Sequence, residues 1–296
     1  MDSLGKCLIC PRKCGIDRGK KAGWCGVGYE PVAAKAFLHM WEEPCISGTR
    51  GSGTVFFSGC NLKCVYCQNY EISQQYYGKK LTVDDLSRIY LSLQQKGAHN
   101  INLVSPSHYI PQVLESLKNA QGLRIPVVYN SNGYESIDSL KHLEGHINVY
   151  LPDIKYIDAQ QSLKYSNAGD YPETARAAVL EMYRQVGDVE LDESGIIKKG
   201  LIVRHLILPG AASQSIKILG WIRANLPEGI YVSVMSQYLP CFKAENYPEI
   251  NRRITRWEYE KVVNHFYKLN FKNGYFQERD SASEDYVPKF NLEGLE

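Results

Sequence analysis

Three cysteines, Cys60, Cys64 and Cys67, fall within eight positions in the stretch SGCNLKCVYCQN. Thiolates are soft ligands that suit zinc, Cu(I) and iron–sulfur clusters. A structural zinc site closes with four ligands, and an iron–sulfur electron carrier is also commonly held by four cysteines. Three thiols in one short loop would leave one iron of a four-iron cubane open to a small molecule. The missing fourth thiol therefore points to catalysis rather than to a structural role.

A second set, Cys7, Cys10, Cys14 and Cys25, lies in CLICPRKCGIDRGKKAGWCG. Four thiols can close a tetrahedral zinc site or hold a second 4Fe–4S cluster. Zinc is favoured because the set is closed, compact and far in sequence from the other loop. Glycines at 15, 19, 23 and 26 let the backbone turn tightly around a metal. Eight of the nine cysteines precede residue 68, and no apolar leader opens the chain, so free thiols in a reducing cytoplasm are expected. Cys45 and Cys241 are isolated and read as small buried or half-exposed residues.

These residues need a scaffold. Strand-like apolar runs occur at 54–60, 100–106, 125–130, 147–156, 201–210 and 230–238. Helical patterns lie between them, at about 82–97, 109–120, 136–143, 172–187, 213–225 and 256–270. In the first, Val83, Leu86, Tyr90 and Leu93 share a face, and Thr82 with Asp85 forms a capping pattern. Thr255 and Glu258 repeat that pattern before the last helix. Residues 188–200 read as a surface hairpin turning at Ser194–Gly195. Alternating strands and helices predict parallel pairing with right-handed crossovers. The expected fold is α/β, a partial (β/α)6 barrel over 54–277. A cysteine-rich metal-binding extension (1–53) precedes it and a loose polar tail (278–296) follows. A doubly wound open sheet is the alternative. In barrels the chemistry sits at the C-terminal strand ends. Cys60, Ser105, Asn130, Asp153, Arg204 and Gln237 cluster there.

GCNLKCVYCQN resembles the CxxxCxxC loop of radical S-adenosylmethionine enzymes, with Tyr66 as the usual aromatic residue before the last cysteine. HMWEEPCISG, GSGTVFFSGC, HNINLVSPSHY, YLPDIKY and RHLILPG resemble the branch around the pyruvate formate-lyase activating enzyme, in particular relatives with an N-terminal cysteine extension. The resemblance implies that Cys60, Cys64 and Cys67 hold a 4Fe–4S cluster whose open iron is chelated by S-adenosylmethionine. Reductive cleavage would give a 5′-deoxyadenosyl radical that abstracts a hydrogen atom from substrate. It also implies a reduced electron donor such as a flavodoxin or ferredoxin.

Other sites carry over with departures. Where the family has a glycine-glycine-glutamate turn on the methionine amino group, this chain has SPSHY, offering Ser105, Ser107 or His108. YNSNGY places Asn130 where activating enzymes carry aspartate, so a cation site is in doubt there. LPDIK matches their fourth-strand motif with Asp153 and Lys155, for which a structural ion pair is the competing reading. Arg204 can meet the methionine carboxylate or a core carboxylate. Gln237 or Tyr238 takes the adenine position, with packing as the alternative. His39, Glu42 and Glu43 are either a structural loop packed by Trp41 or a lid or substrate-facing acid–base group.

With 34 basic and 32 acidic residues, a net charge of +2 gives no global attraction to nucleic acid or an anionic membrane. No run approaches the ~18 apolar residues of a spanning helix. The expected substrate is a peptide or protein, as for a glycyl-radical activase. A small metabolite or nucleotide is the alternative within radical chemistry. A non-catalytic iron–sulfur carrier or metal-dependent binding module is the alternative outside it.

Overall fold

Short apolar runs bounded by glycine and polar turns make the ten strands of one sheet in the computed structural model, which describes residues 5–277 and 288–296. In chain order they are β1 (Val32–His39), β2 (Ser52–Phe57), β3 (Lys79–Lys80), β4 (Ile101–Val104) and β5 (Val127–Ser131). Then come β6 (Val149–Pro152), β7 (Glu190–Leu191), β8 (Ile197–Leu206), β9 (Tyr231–Met235) and β10 (Asn273–Phe276). The order across the sheet is β10-β9-β8-β6-β5-β4-β2-β1-β3, with β7 a hairpin partner of β8. From β2 to β10 every neighbour on this path is parallel, whereas β1 runs antiparallel to both β2 and β3. All six expected strands are present, and β10 adds a further parallel one.

The helices are α1 (Pro44–Ser47), α2 (Tyr70–Ser73), α3 (Val83–Gln95), α4 (Ile110–Asn119), α5 (Ile137–Lys141), α6 (Ala159–Ser166), α7 (Tyr171–Val186), α8 (Ala212–Asn225) and α9 (Arg256–Lys268). Thr82 with Asp85 and Thr255 with Glu258 form complete capping boxes at α3 and α9. Leu86, Ile89, Tyr90 and Leu93 of α3 and Ala175, Ala178, Val179 and Met182 of α7 are buried in the main core. Strands such as β2 and β5 are buried along their whole length, as covered parallel strands should be.

Two expectations about the chain ends change. β1 comes from the stretch read as extension, and joins the sheet because Ala33, Ala34 and Ala36 are small enough to bury beside β2. The loose tail is corrected for residues 288–296, which dock on β1; residues 278–287 lie outside the described residues. Leu292 N–H donates to Ala34 O (3.0 Å), and Ala36 N–H donates to Glu293 O (2.8 Å). Leu295 is buried, and Lys35 pairs with Glu293 at 3.0 Å.

Strand register sets the site. It carries Phe56, Val104 and Asn130 across β2, β4 and β5 at one level. It carries Asp153, Arg204 and Ser233 across the end of β6, β8 and β9.

Candidate active site

The cysteine loop leaves β2 through Gly59, whose φ of +87° suits glycine. A Cβ there would stand 2.9 Å from the Cys25 carbonyl oxygen. The loop is then gripped from several sides. Val65 N–H donates to Tyr165 O (2.9 Å), Asn61 Nδ2 to Tyr134 O (2.6 Å), and Lys243 N–H to Val65 O (2.9 Å). Tyr66 is buried with its hydroxyl 2.6 Å from that of Tyr156. Cys241 Sγ lies 3.4 Å from Tyr66 O, so this isolated cysteine supports the loop from behind. Cys45 is buried, and desolvation pushes its thiol up to about 11.

Cys60, Cys64 and Cys67 line one cavity of ≈ 190 Å³. Each sulfur has a polar neighbour. Leu62 N–H and Asn132 Nδ2 each reach Cys60 Sγ at 3.4 Å, Ser166 Oγ donates to Cys64 Sγ at 2.9 Å, and Ser73 Oγ lies 3.2 Å from Cys67 Sγ. Burial pushes the Cys60 and Cys64 thiols up to about 11, and Cys67 upward too. Thiols so placed keep their protons until a bound cation replaces them. Hydrogen-bond donors aimed at the sulfurs then suit the thiolates of an iron–sulfur cluster.

Tyr66, Ser105, Asn130, Asp153, Lys155, Arg204 and Gln237 line the same cavity. Ser105 has φ +59°, a left-handed conformation that turns the chain at the end of β4. Arg204 spends its guanidinium on core groups: Nε to Asp153 Oδ1 (3.2 Å), Nη1 to Glu42 Oε2 (3.0 Å) and Nη2 to Asn130 Oδ1 (2.8 Å). Lys155 pairs with Asp153 Oδ2. Burial alone would raise the Asp153 carboxyl, but Lys155 and Arg204 hold it below the ordinary carboxylate range. Burial would lower Arg204, and Asp153, Glu43 and Glu42 more than reverse it.

Ser107 and His108 stand away from the cavity. Ser107 Oγ donates to the buried Glu135, and His108 Nε2 meets Ser58 O at 2.9 Å while burial lowers its pKa to about 3. Ser107 ties the loop after β4 to the loop after β5, and His108 ties it to the end of β2. The reading of the sequence missed Ser73, Asn132 and Ser166. Asn132 sits in the quoted YNSNGY, so its motif was visible. Ser166 ends α6, whose polar sequence AQQSLKYS carries little apolar period.

The four N-terminal cysteines converge on the outside of this loop. A Cβ on Gly23 would lie 3.4 Å from Cys25 Sγ and 3.5 Å from Cys14 Sγ. Cys7 interacts with Cys14, and burial pushes Cys10 up to about 12. Cys60 N–H donates to Cys25 O at 3.2 Å, which joins the two cysteine loops directly. Among the described residues, no three His, Cys, Asp or Glu side chains stand close enough for one metal ion.

Residues 54–210, which contain the cysteine loop, most of β2 and strands β3 to β8, match the radical SAM superfamily. The chain belongs to this superfamily. Membership of it implies a 4Fe–4S cluster and S-adenosylmethionine. Uncharacterized protein MJ0674 of Methanocaldococcus jannaschii is 32% identical over 274 residues, 89% of this chain and 75% of that protein. Streptococcus suis SuiB bound to precursor peptide SuiA is similar in fold, with a TM-score of 0.53 and 15% identity over 74% of this chain. The match spans 46% of SuiB, so this chain covers about half its length. Native anSMEcpe with bound AdoMet gives a TM-score of 0.50 at 13% identity, over 74% of this chain and 61% of that one. Among the described residues no helix of this radical SAM protein is long and apolar enough to cross a membrane.

Proposed function

We propose that this chain removes a hydrogen atom from a peptide or protein, in the manner of a glycyl-radical activase, at a cluster held by Cys60, Cys64 and Cys67. The observation that carries the reading is one cavity shared by three thiols and by residues at five strand ends: Ser105, Asn130, Asp153, Arg204 and Gln237. When bound and reduced, the cluster with S-adenosylmethionine supplies the 5′-deoxyadenosyl radical. The chain's part is to orient and shield. Ser73, Asn132 and Ser166 hold the sulfurs, Tyr66 and Tyr156 close the back of the loop, and the Asp153–Lys155–Arg204 network gives a fixed polar wall. A peptide substrate is supported by the fold neighbour SuiB, which is bound to a precursor peptide. A small metabolite is the second reading, favoured by an adjoining cavity of ≈ 420 Å³ that would hold one whole.

We assign the N-terminal cysteines to zinc, with a second 4Fe–4S cluster as the competing occupant. Four thiols spaced on tight turns support a structural metal that draws them together on binding. A flavodoxin- or ferredoxin-like protein is the expected electron donor.

The test is anaerobic reconstitution followed by reduction. Formation of 5′-deoxyadenosine is expected, and loss of Cys64 (Cys64→Ala) should abolish it. No cleavage by the reconstituted protein would sink the radical reading. About four irons and one zinc per chain support the zinc assignment, whereas about eight irons without zinc overturn it.

A further inference from the structure

The cysteine cavity continues into the ≈ 420 Å³ cavity, the two sharing Gln68, Asn69, Val104, Asn130, Arg204 and Gln237. The floor of the second is the segment between β1 and α1, which carries Glu42 and Glu43. Glu42 is fully engaged. It accepts from Asn102 Nδ2 (2.9 Å), Asn130 Nδ2 (3.2 Å) and Arg204 Nη1 (3.0 Å). Glu43 differs. It is only 8% exposed, and the Ser233 hydroxyl reaches its carboxylate, yet its Oε2 is buried with no hydrogen-bond partner among the described residues.

Among the described residues the acids around the cavities outnumber the cations. Three carboxylates, Glu42, Glu43 and Asp153, face two cations, Arg204 and Lys155. Arg204 is shared between Glu42 and Asp153, and Lys155 is paired with Asp153. His39 adds no positive charge, because burial lowers its pKa to about 4. Glu43 is the acid that no described cation pairs with; burial raises its carboxyl and Arg204 offsets only part of that, so an entering cation would take the place of its proton. A buried oxygen without a donor is costly, and its natural complement is a ligand that brings the donor. A bare metal ion fits poorly, since hard cations want several oxygens. The other walls include Phe56, Tyr275, Phe276 and Trp41. Those surfaces suit an aliphatic stem.

We propose that this cavity is the substrate site and that Glu43 receives an alkylammonium group of the substrate, carried by a free amine or by a peptide side chain. This rests on the radical SAM reading above and adds the recognition chemistry.

The experiment is calorimetry on anaerobically reconstituted protein with S-adenosylmethionine bound. Two matched probe pairs are used: n-pentylamine against 1-pentanol, and a capped lysine pentapeptide against its norleucine counterpart. At least a 10-fold preference for the ammonium member of either pair is expected. Whichever pair shows it identifies the source. Glu43→Gln should erase the preference, and Glu43→Asp, which keeps the charge, should restore part of it. The wild-type comparison stands even if Glu43→Gln fails to fold. Equal affinities within both pairs, or no binding by either ammonium probe, overturn the proposal. Formation of 5′-deoxyadenosine is measured in the same samples. Its absence would sink the radical reading separately, because ammonium preference is read without turnover.

Discussion

Glu135 is buried in the loop after β5, where Ser107 Oγ and the Tyr129 hydroxyl (3.2 Å) donate to its two oxygens. Burial still raises its pKa to about 7, since the hydroxyls offset only part of the desolvation. An unfolded glutamate titrates near ~4.3. Between these values the folded chain keeps a proton that the unfolded chain has lost, so stability falls as pH rises through the window and levels off above 7. Glu135→Gln should remove this slope. Denaturant unfolding at pH 5 and pH 8 is expected to show wild type losing roughly 3 kcal/mol more than the variant. An unchanged slope in the variant would assign it elsewhere. Ser107 also marks what the sequence hides at this scale. It was legible as a polar residue after a strand, but its partner lies 28 residues on, and no spacing rule links them. The cysteine ligand pattern was legible because three thiols sit within one local loop. The groups that serve those thiols, Asn132 and Ser166, come from distant elements.

At the scale of elements, the long apolar strands and the capped helices were legible because periodicity and capping are local. β1 and β10 were less so. β1 mixes alanines with Lys35 and His39, and β10 is four half-buried residues that include a glycine. The closing segment 288–296 has no periodic signature, yet Gly294 shows how specific its docking is. With φ +76°, it presses against β1 so closely that a Cβ would lie 1.9 Å from the Ala36 carbonyl oxygen. Gly294→Ala should lift the segment, exposing Leu295 and freeing the amides of Ala36 and Leu292. Burial of one leucine and two backbone hydrogen bonds suggests a loss of roughly 2–4 kcal/mol before the regained chain entropy is subtracted. Amide exchange at Ala36 and Leu292 is expected to quicken at least 10-fold. Retained protection at both would mean that the segment tolerates the side chain by moving elsewhere.

For the whole molecule, alternation of strands and helices led from sequence to the partial barrel, but not to how the extension sits on it. That arrangement rests on contacts no periodicity encodes. Arg12 lies over the rings of Trp24 (4.7 Å) and Tyr134 (5.1 Å) and donates to Asn61 O at 2.8 Å. The buried Arg18 donates to the carbonyls of His108 and Gly28. Ser139 Oγ donates to Ile9 O, and Cys60 N–H donates to Cys25 O. The extension is therefore a wall of the cysteine loop rather than an appendage. A metal that ties Cys7, Cys10, Cys14 and Cys25 together would hold this wall in shape, because metal binding to such a loop is also folding free energy. The double substitution Cys7→Ser with Cys14→Ser should remove one metal site and lower the melting temperature by on the order of 5–10 °C. Through the backbone hydrogen bond from Cys60 N–H to Cys25 O it should also loosen the second loop. The iron bound by Cys60, Cys64 and Cys67 should then be lost to a chelator several-fold faster than in wild type. Iron release followed by absorbance, beside a melting curve on the same samples, separates the two effects. A lower melting temperature with unchanged iron release would make the extension a stabilising cap with no hold on the cysteine loop.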